Sequence, residues 1–271
     1  MELDMKLLKE MAIEIQRQVR PLMGKPEAAE VMGQGAGGDR TRRIDLTAEE
    51  VVFSKLKASD VTCTVVSEER GVVTPPRGEA GGYLIVDSVD GSNNALRGVP
   101  FFAVSLAVAD IPRLSGVHLG LVMDLYHGET FWAERGKGAR RDDEVIKTSN
   151  VSGVRDALLG VDLSSKAEEV YLDRLLGVLR VARHIRHFGS NALEICYVAC
   201  GRLDAFIDIR RSLRITDMAA AHLILKEAGG LMVDENGGDL DSPASSPTDR
   251  VSFIAANNST LASEIMNLLK R

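Results

Sequence analysis

The chain has 271 residues, 45% of them apolar, enough to bury a core as one large domain or two compact ones, which excludes disorder as the starting reading. A net charge of -6 without a long basic run excludes a nucleic-acid backbone as the main partner, and the longest apolar stretch, residues 101–109, is too short to cross a bilayer. Three cysteines, Cys63, Cys196 and Cys200, make no even disulfide set, and no leader pattern opens the chain, so a reduced, cytoplasmic setting is expected.

Apolar side chains at Leu8, Met11, Ile15 and Val19 recur at spacings of three and four, which predicts an amphipathic helix over residues 3–22. The Gly-rich segment 24–38, with Pro26 inside it, ends that helix and reads as a mobile loop. A second helix is expected from about Leu46, entered through Asp45 or Thr47, with Thr47 and Glu50 spaced as a capping box. Residues 61–67, 83–87, 101–109, 117–123 and 129–133 are short runs rich in Val, Leu and aromatic residues between turn formers. They predict consecutive strands of one mainly antiparallel or mixed sheet. From about residue 155 strands and helices alternate: strands at 158–163, 184–188, 205–209, 231–234 and 252–256, helices at 166–182, 190–200 and 217–228, and a closing helix. The class is α+β, with a boundary near 145–155 that divides 1–150 from 151–271. Cys196 and Cys200, four apart on a helix without further metal-ligand spacing, read as small apolar residues. His184 and His187 fall on opposite faces of a strand and read as structural.

Chemistry concentrates in residues 83–94, where an apolar strand ends in Asp87 and Asp90 and turns into Gly91, Ser92, Asn93 and Asn94. Two aspartates three apart at such a turn can aim at one point, with the Val89 carbonyl beside them. Hard cations such as Mg²⁺ take oxygen donors of this kind and keep positions for water and phosphate. The N–H groups after Asp90, at an expected helix start, suit phosphate oxygens. An ordinary turn with an N-cap explains the same residues. Glu68 and Glu69 stand where another strand leaves the core, either as a solvated pair or as acids that repel without a cation. Asp217 opens a helix with the apolar stripe Met218, Ala221, Leu225 and Ala228, ended by Gly229 and Gly230, either as a cap or as a ligand. Spacing alone does not make Glu68, Asp87, Asp90 and Asp217 converge.

The runs 86–94, 67–69, 215–221 and 227–230, together with Gly189-Ser190-Asn191-Ala192 and 198–206, occur in order over most of the chain. They resemble the inositol monophosphatase family, and within it the archaeal-type enzymes that act on both inositol monophosphate and fructose 1,6-bisphosphate. The resemblance implies a layered α/β/α/β/α sugar-phosphatase fold, Mg²⁺ dependence and a homodimer. It implies that Glu68, Asp87 and the Val89 carbonyl hold one metal, that Asp87, Asp90 and Asp217 hold a second, and that a weaker third touches Glu68. Ser92, where the family usually has Thr, would act with Asp45 on the attacking water. Gly91, Ser92, Gly189, Ser190, Asn191, Arg210 and Arg214 would face the substrate. Ser88 stands where Pro is usual, which costs turn rigidity but no ligand.

The function so implied is Mg²⁺-dependent hydrolysis of a small sugar or cyclitol phosphate, with neither nucleic acid nor membrane as partner. A 3′-phosphoadenosine 5′-phosphate-type nucleotide is the competing substrate, disfavoured by 4% aromatic content and only Phe188 beside the motifs to stack a base. A non-catalytic regulatory module of the same fold is disfavoured by the five acids Asp45, Glu68, Asp87, Asp90 and Asp217. Arg210, Arg211 and Arg214 precede Asp217 closely, either as a solvated basic turn or as a cleft rim. At least one of these guanidinium groups is expected at the mouth of the pocket, with Arg210 or a neighbour holding a second phosphate bidentately, which favours fructose 1,6-bisphosphate.

Overall fold

The computed structural model describes residues 3–75, 81–163 and 169–270. Helix α1 (Met5–Val19) starts where the Asp4 carboxylate accepts the Leu7 N–H at 2.8 Å, and it buries Leu8, Met11, Ile15 and Val19 as its periodicity requires. A 3-10 turn at Arg20–Leu22, containing Pro21, replaces the expected last turn. The Gly-rich segment is not all loop, because β1 (Val31–Gln34) pairs antiparallel with β2 (Arg40–Arg42) as a hairpin. Helix α2 (Arg43–Ser59) begins before the expected Leu46: the Asp45 carboxylate accepts the Arg42 N–H at 2.9 Å and closes the cap itself. Thr47 instead donates its hydroxyl back to the Arg43 carbonyl.

The next strands are β3 (Thr64–Ser67), β4 (Gly71–Val73) and β5 (Tyr83–Asp90), followed by the short α3 (Ser92–Arg97). Then come β6 (Ala103–Ala109), β7 (Val117–Asp124), β8 (Thr130–Glu134), β9 (Ala139–Arg141) and β10 (Glu144–Val145). They form one sheet in the order β10-β9-β8-β7-β6-β5-β3-β4, antiparallel except for the parallel β3–β5 pair. The second half runs β11 (Leu158–Val161), α4 (Glu169–Leu179), β12 (His184–Arg186), α5 (Asn191–Ala199) and β13 (Ala205–Arg214). It closes with α6 (Ile215–Glu227), β14 (Leu231–Val233), β15 (Arg250–Ala256) and α7 (Ser259–Leu269), the strands ordered β12-β11-β13-β15-β14. The expected helix start at 166–168 lies outside the described residues.

Alternation along the strands builds the layers. Leu84 and Val86 of β5 join Leu106 and Leu121 in a core under α1 and α2, while Ile85 between them turns the other way. On that second face α5 and α6 lie between the two sheets, with Ile195 and Met218 packed among Phe131 of one sheet and Phe206 and Phe253 of the other. Gly120 allows the close approach of α6, since a Cβ there would sit 2.8 Å from the Ala220 carbonyl oxygen. The outer face of the second sheet, with Ile207 and Ile254, is covered by α4 and α7. The result is the α/β/α/β/α order. The strands of the eight-stranded sheet all precede those of the five-stranded sheet in sequence, yet the central core draws on both halves. Among the described residues no helix is long and apolar enough to cross a membrane, and Cys63, Cys196 and Cys200 are free thiols.

Candidate active site

Because β3 and β5 run parallel with Ser67 opposite Val86, the next residues are neighbours, Glu68 just past the end of β3 and Asp87 still within β5 opposite Ser105 of β6. The register of β5 against β6 breaks between Asp87 and Asp90, the local irregularity that lets both acids serve one cleft. Gly91 then takes φ 85°, and a Cβ there would meet the Gly189 carbonyl oxygen at 2.9 Å. Glycine at this point admits the loop before α5. From the second half, the third residue of α6 is Asp217, held by the Thr216 hydroxyl at 2.9 Å and the Arg214 N–H at 3.4 Å. Carboxylate oxygens of Glu68, Asp87 and Asp217 all lie within 4.8 Å of one another.

These acids are short of positive charge. Burial, and then the neighbouring charges of Asp217, Glu68 and Asp90, push Asp87 well above the usual carboxylate range. Burial and Asp217 push Glu68 up to about 8, although Arg214 Nη1 stands 2.9 Å from it. Asp90 is raised to about 7 by burial and Asp217, against donors at 2.6 Å from the Ser190 hydroxyl and 2.7 Å from the Ala192 N–H. Burial also raises Asp217, which Arg214 opposes. Burial sets Asp45 at about 7, which the Arg42 N–H opposes. An all-oxygen, under-neutralised donor set fits a hard divalent cation and does not suit a thiophilic one.

The acids floor a cavity of about 570 Å³. Asp45, Val89, Gly91 and Ser92 line it beside Glu68, Asp87, Asp90 and Asp217, and Gly189, Asn191 and Arg214 line it from the second half. Two expected substrate contacts lie elsewhere. Ser190 is fully buried with its hydroxyl on Asp90, so it orients that acid and does not face the cleft. Arg210 is buried as the counter-ion of two buried acids: Nη2 lies 2.6 Å from both Asp162 and Asp208, and Nε 2.9 Å from Asp208. The expectation of Arg210 at the cleft mouth is therefore corrected. Arg211 is exposed and paired with Glu235, which leaves Arg214 as the cleft arginine of the three.

The β1–β2 hairpin, which starts in the segment expected as a mobile loop, also belongs to the site. Its loop docks on the acids by backbone, with Ala36 N–H on the Glu69 carbonyl at 3.0 Å and Gly37 N–H on the Glu68 carbonyl at 2.8 Å. Arg214 bridges Glu68 to Asp39 of that loop, and the Thr41 hydroxyl donates to Glu69. A Gly-rich loop feeding the polar run 39–43 directly into Asp45 was the available signal. Glu194, pushed up to about 8 by burial, accepts the Gly189 N–H at 3.1 Å and fixes the loop before α5. Phe188 is stacked on Phe101 with centroids 4.8 Å apart.

Comparison with known proteins follows the same outline. The model of the inositol monophosphatase family matches residues 2–271. A fructose-1,6-bisphosphatase/inositol-1-monophosphatase of Methanothermobacter thermautotrophicus is 37% identical over 268 residues, 96% of this chain and 94% of that one. A bifunctional NADP phosphatase/NAD kinase of Methanococcus maripaludis is 35% identical over 266 residues, 91% of this chain but 46% of that protein. The crystal structure of an inositol monophosphatase–fructose 1,6-bisphosphatase superposes with a TM-score of 0.86 at 31% identity, covering 99% of this chain and 100% of that one.

Proposed function

This chain belongs to the inositol monophosphatase family, and from that membership we infer that its acid-floored cleft hydrolyses small sugar or cyclitol phosphates with Mg²⁺. It is a phosphatase acting on phosphate monoesters. The observation that carries the finer reading is the convergence of Glu68, Asp87 and Asp217 oxygens within 4.8 Å. Glu68, Asp87 and the Val89 carbonyl would hold one ion, and Asp87, Asp90 and Asp217 a second. Bound there, Mg²⁺ supplies the positive charge that eases deprotonation of water and stabilises the phosphate and the leaving alkoxide.

The chain's own groups do the positioning. Asp45, raised by burial to about 7, is poised to accept a proton near neutral pH, and Ser92 on the same cleft wall presents a hydroxyl to the attacking water. Ser190 and the Ala192 N–H keep Asp90 turned inward. Gly91, Gly189 and Asn191 form the wall that a sugar would face. In this proposal residues 1–150 carry most metal ligands and 151–271 carry Asp217 and part of the substrate wall. A cytoplasmic homodimer belongs to the same reading, the compartment supported by three free thiols.

The stacking of Phe188 on Phe101 counts against a nucleotide base as the recognised group, and a buried set of repelling acids counts against a module relieved of catalysis. The test is a panel of fructose 1,6-bisphosphate, inositol 1-phosphate and 3′-phosphoadenosine 5′-phosphate with Mg²⁺ or chelator. Sugar or cyclitol ester hydrolysis that stops in chelator and returns with Mg²⁺ is expected. Full activity in chelator, or turnover of the nucleotide alone, overturns the reading.

A further inference from the structure

Against its acidic floor the cleft sets three arginines, Arg40, Arg42 and Arg214. Two are spoken for. Arg214 is paired with Glu68 and Asp39, and Arg42 Nη1 donates to the Ala29 carbonyl at 3.0 Å. Arg40 makes no ion pair and no side-chain hydrogen bond among the described residues, although it lines the same cavity. Its direction is set by backbone. On β2 the side chains of Arg40 and Arg42 share one face, and Thr41 between them turns to the other, buried with its hydroxyl on Glu69. The hairpin carrying them is tied to the acid cluster through the Glu68 and Glu69 carbonyls and through Arg250 Nη2, which donates to the Gly37 carbonyl at 3.0 Å. Arg40 is thus an unengaged guanidinium held on the rim of a site whose floor is acid.

We propose that Arg40 is a specificity-determining residue that binds a second phosphate of the substrate, distal to the one hydrolysed; the inference rests on the sugar-phosphate reading above. The reacting phosphate belongs over Glu68, Asp87 and Asp217, where cations neutralise the floor. A distal phosphate on the same sugar needs a cation of its own, and a planar fork meets phosphate oxygens bidentately. Arg210 cannot serve, since Asp162 and Asp208 already neutralise it. Arg211 lies on Glu235, outside the residues that line the cleft.

Fructose 1,6-bisphosphate and fructose 1-phosphate present the same reacting bond and differ in the distal group. Both are assayed with Mg²⁺ for the wild type, Arg40→Gln and Arg40→Lys. Arg40→Gln is expected to raise KM for the bisphosphate about ten- to hundredfold more than for the monophosphate, with kcat moving less than KM. Arg40→Lys should recover part of that difference, because the charge remains and the fork is lost. Equal KM changes for the two esters, or a loss confined to kcat, overturn the inference alone. A wild type that hydrolyses neither ester sinks the functional reading and this inference with it.

Discussion

The Ser190 hydroxyl, 2.6 Å from Asp90 in a fully buried position, acts on the chemistry only through the acid it orients. Without it Asp90 keeps the Ala192 N–H but is free to turn. Ser190→Ala should therefore weaken Mg²⁺ affinity and kcat/KM by about ten- to hundredfold, the usual loss when a ligand's supporting hydrogen bond is removed. Mg²⁺ titration by calorimetry beside the activity assay checks it, and unchanged affinity would return Ser190 to a structural role. Asp217→Asn, by contrast, removes a charge from the cluster itself and should abolish turnover while circular dichroism stays native. Residual activity near wild type would take Asp217 out of the ligand set. Asp87, Asp90 and Gly91 were legible because strand end, acids and turn glycine are encoded within a few residues. Convergence of Glu68 and Asp217 upon them came from resemblance, since their spacing alone left them as caps or solvated acids. Arg210 was misread for a physical reason: one of its counter-ions, Asp162, lies 48 residues away and is buried. A local charge run displays its cations but not the distant acids that neutralise them.

The hairpin was the element hardest to read. Its strands have four and three residues, and β1 is exposed along its whole length, so no apolar alternation marks it and its glycines read only as breakers. Its function lies in proximity. A Cβ on Gly37 would stand 2.9 Å from Arg214 Nε and 3.1 Å from Glu68 Cγ, inside the ion-paired bridge between Glu68 and Asp39. Gly37→Ala should lift the loop from Glu68. Faster hydrogen exchange at the amides of residues 36 and 37 is expected, with a higher Mg²⁺ concentration for half-maximal activity. Unchanged exchange would mean that Arg214 yields to the methyl group and the loop stays docked. By contrast α1 was legible because its buried residues recur at the helical period, and the strands β5 to β8 because they are short, largely buried apolar runs between turn residues. The α2 start was displaced because Asp45 serves as both cap and cleft acid, two roles that a residue spacing does not separate.

At the scale of the whole molecule, the cluster joins layers that sequence order keeps apart: Asp87 and Asp90 lie in β5 of the first sheet and Glu68 directly after β3, and Asp217 opens the helix between the sheets. Four of these acids and Asp45 have folded pKa values above the unfolded carboxylate value of about 4. A raised carboxylate contributes its full stability below the unfolded value and loses it as pH rises through the folded one, because the unfolded chain releases its protons first. With Asp45 and Asp90 at about 7 and Glu68 at about 8, the loss runs from roughly pH 4 to 8. In chelator the melting temperature should therefore fall between pH 5 and pH 8. Mg²⁺ reverses the sign of the effect at the upper end, since it binds the ionised carboxylates of the folded state and stabilises it by mass action. Asp90→Asn removes one repelling charge without changing volume. In chelator at pH 8 it should melt above wild type by an amount on the order of a few degrees, gain little from Mg²⁺, and show a smaller difference from wild type at pH 5, where Asp90 already holds its proton. Calorimetric melting of both proteins at the two pH values, with Mg²⁺ and with chelator, reads all of these at once. A metal-free wild type that grows more stable from pH 5 to pH 8, or an Asp90→Asn protein that melts well below it, would show that these acids are held by protein partners and that repulsion between them is not what the cation relieves.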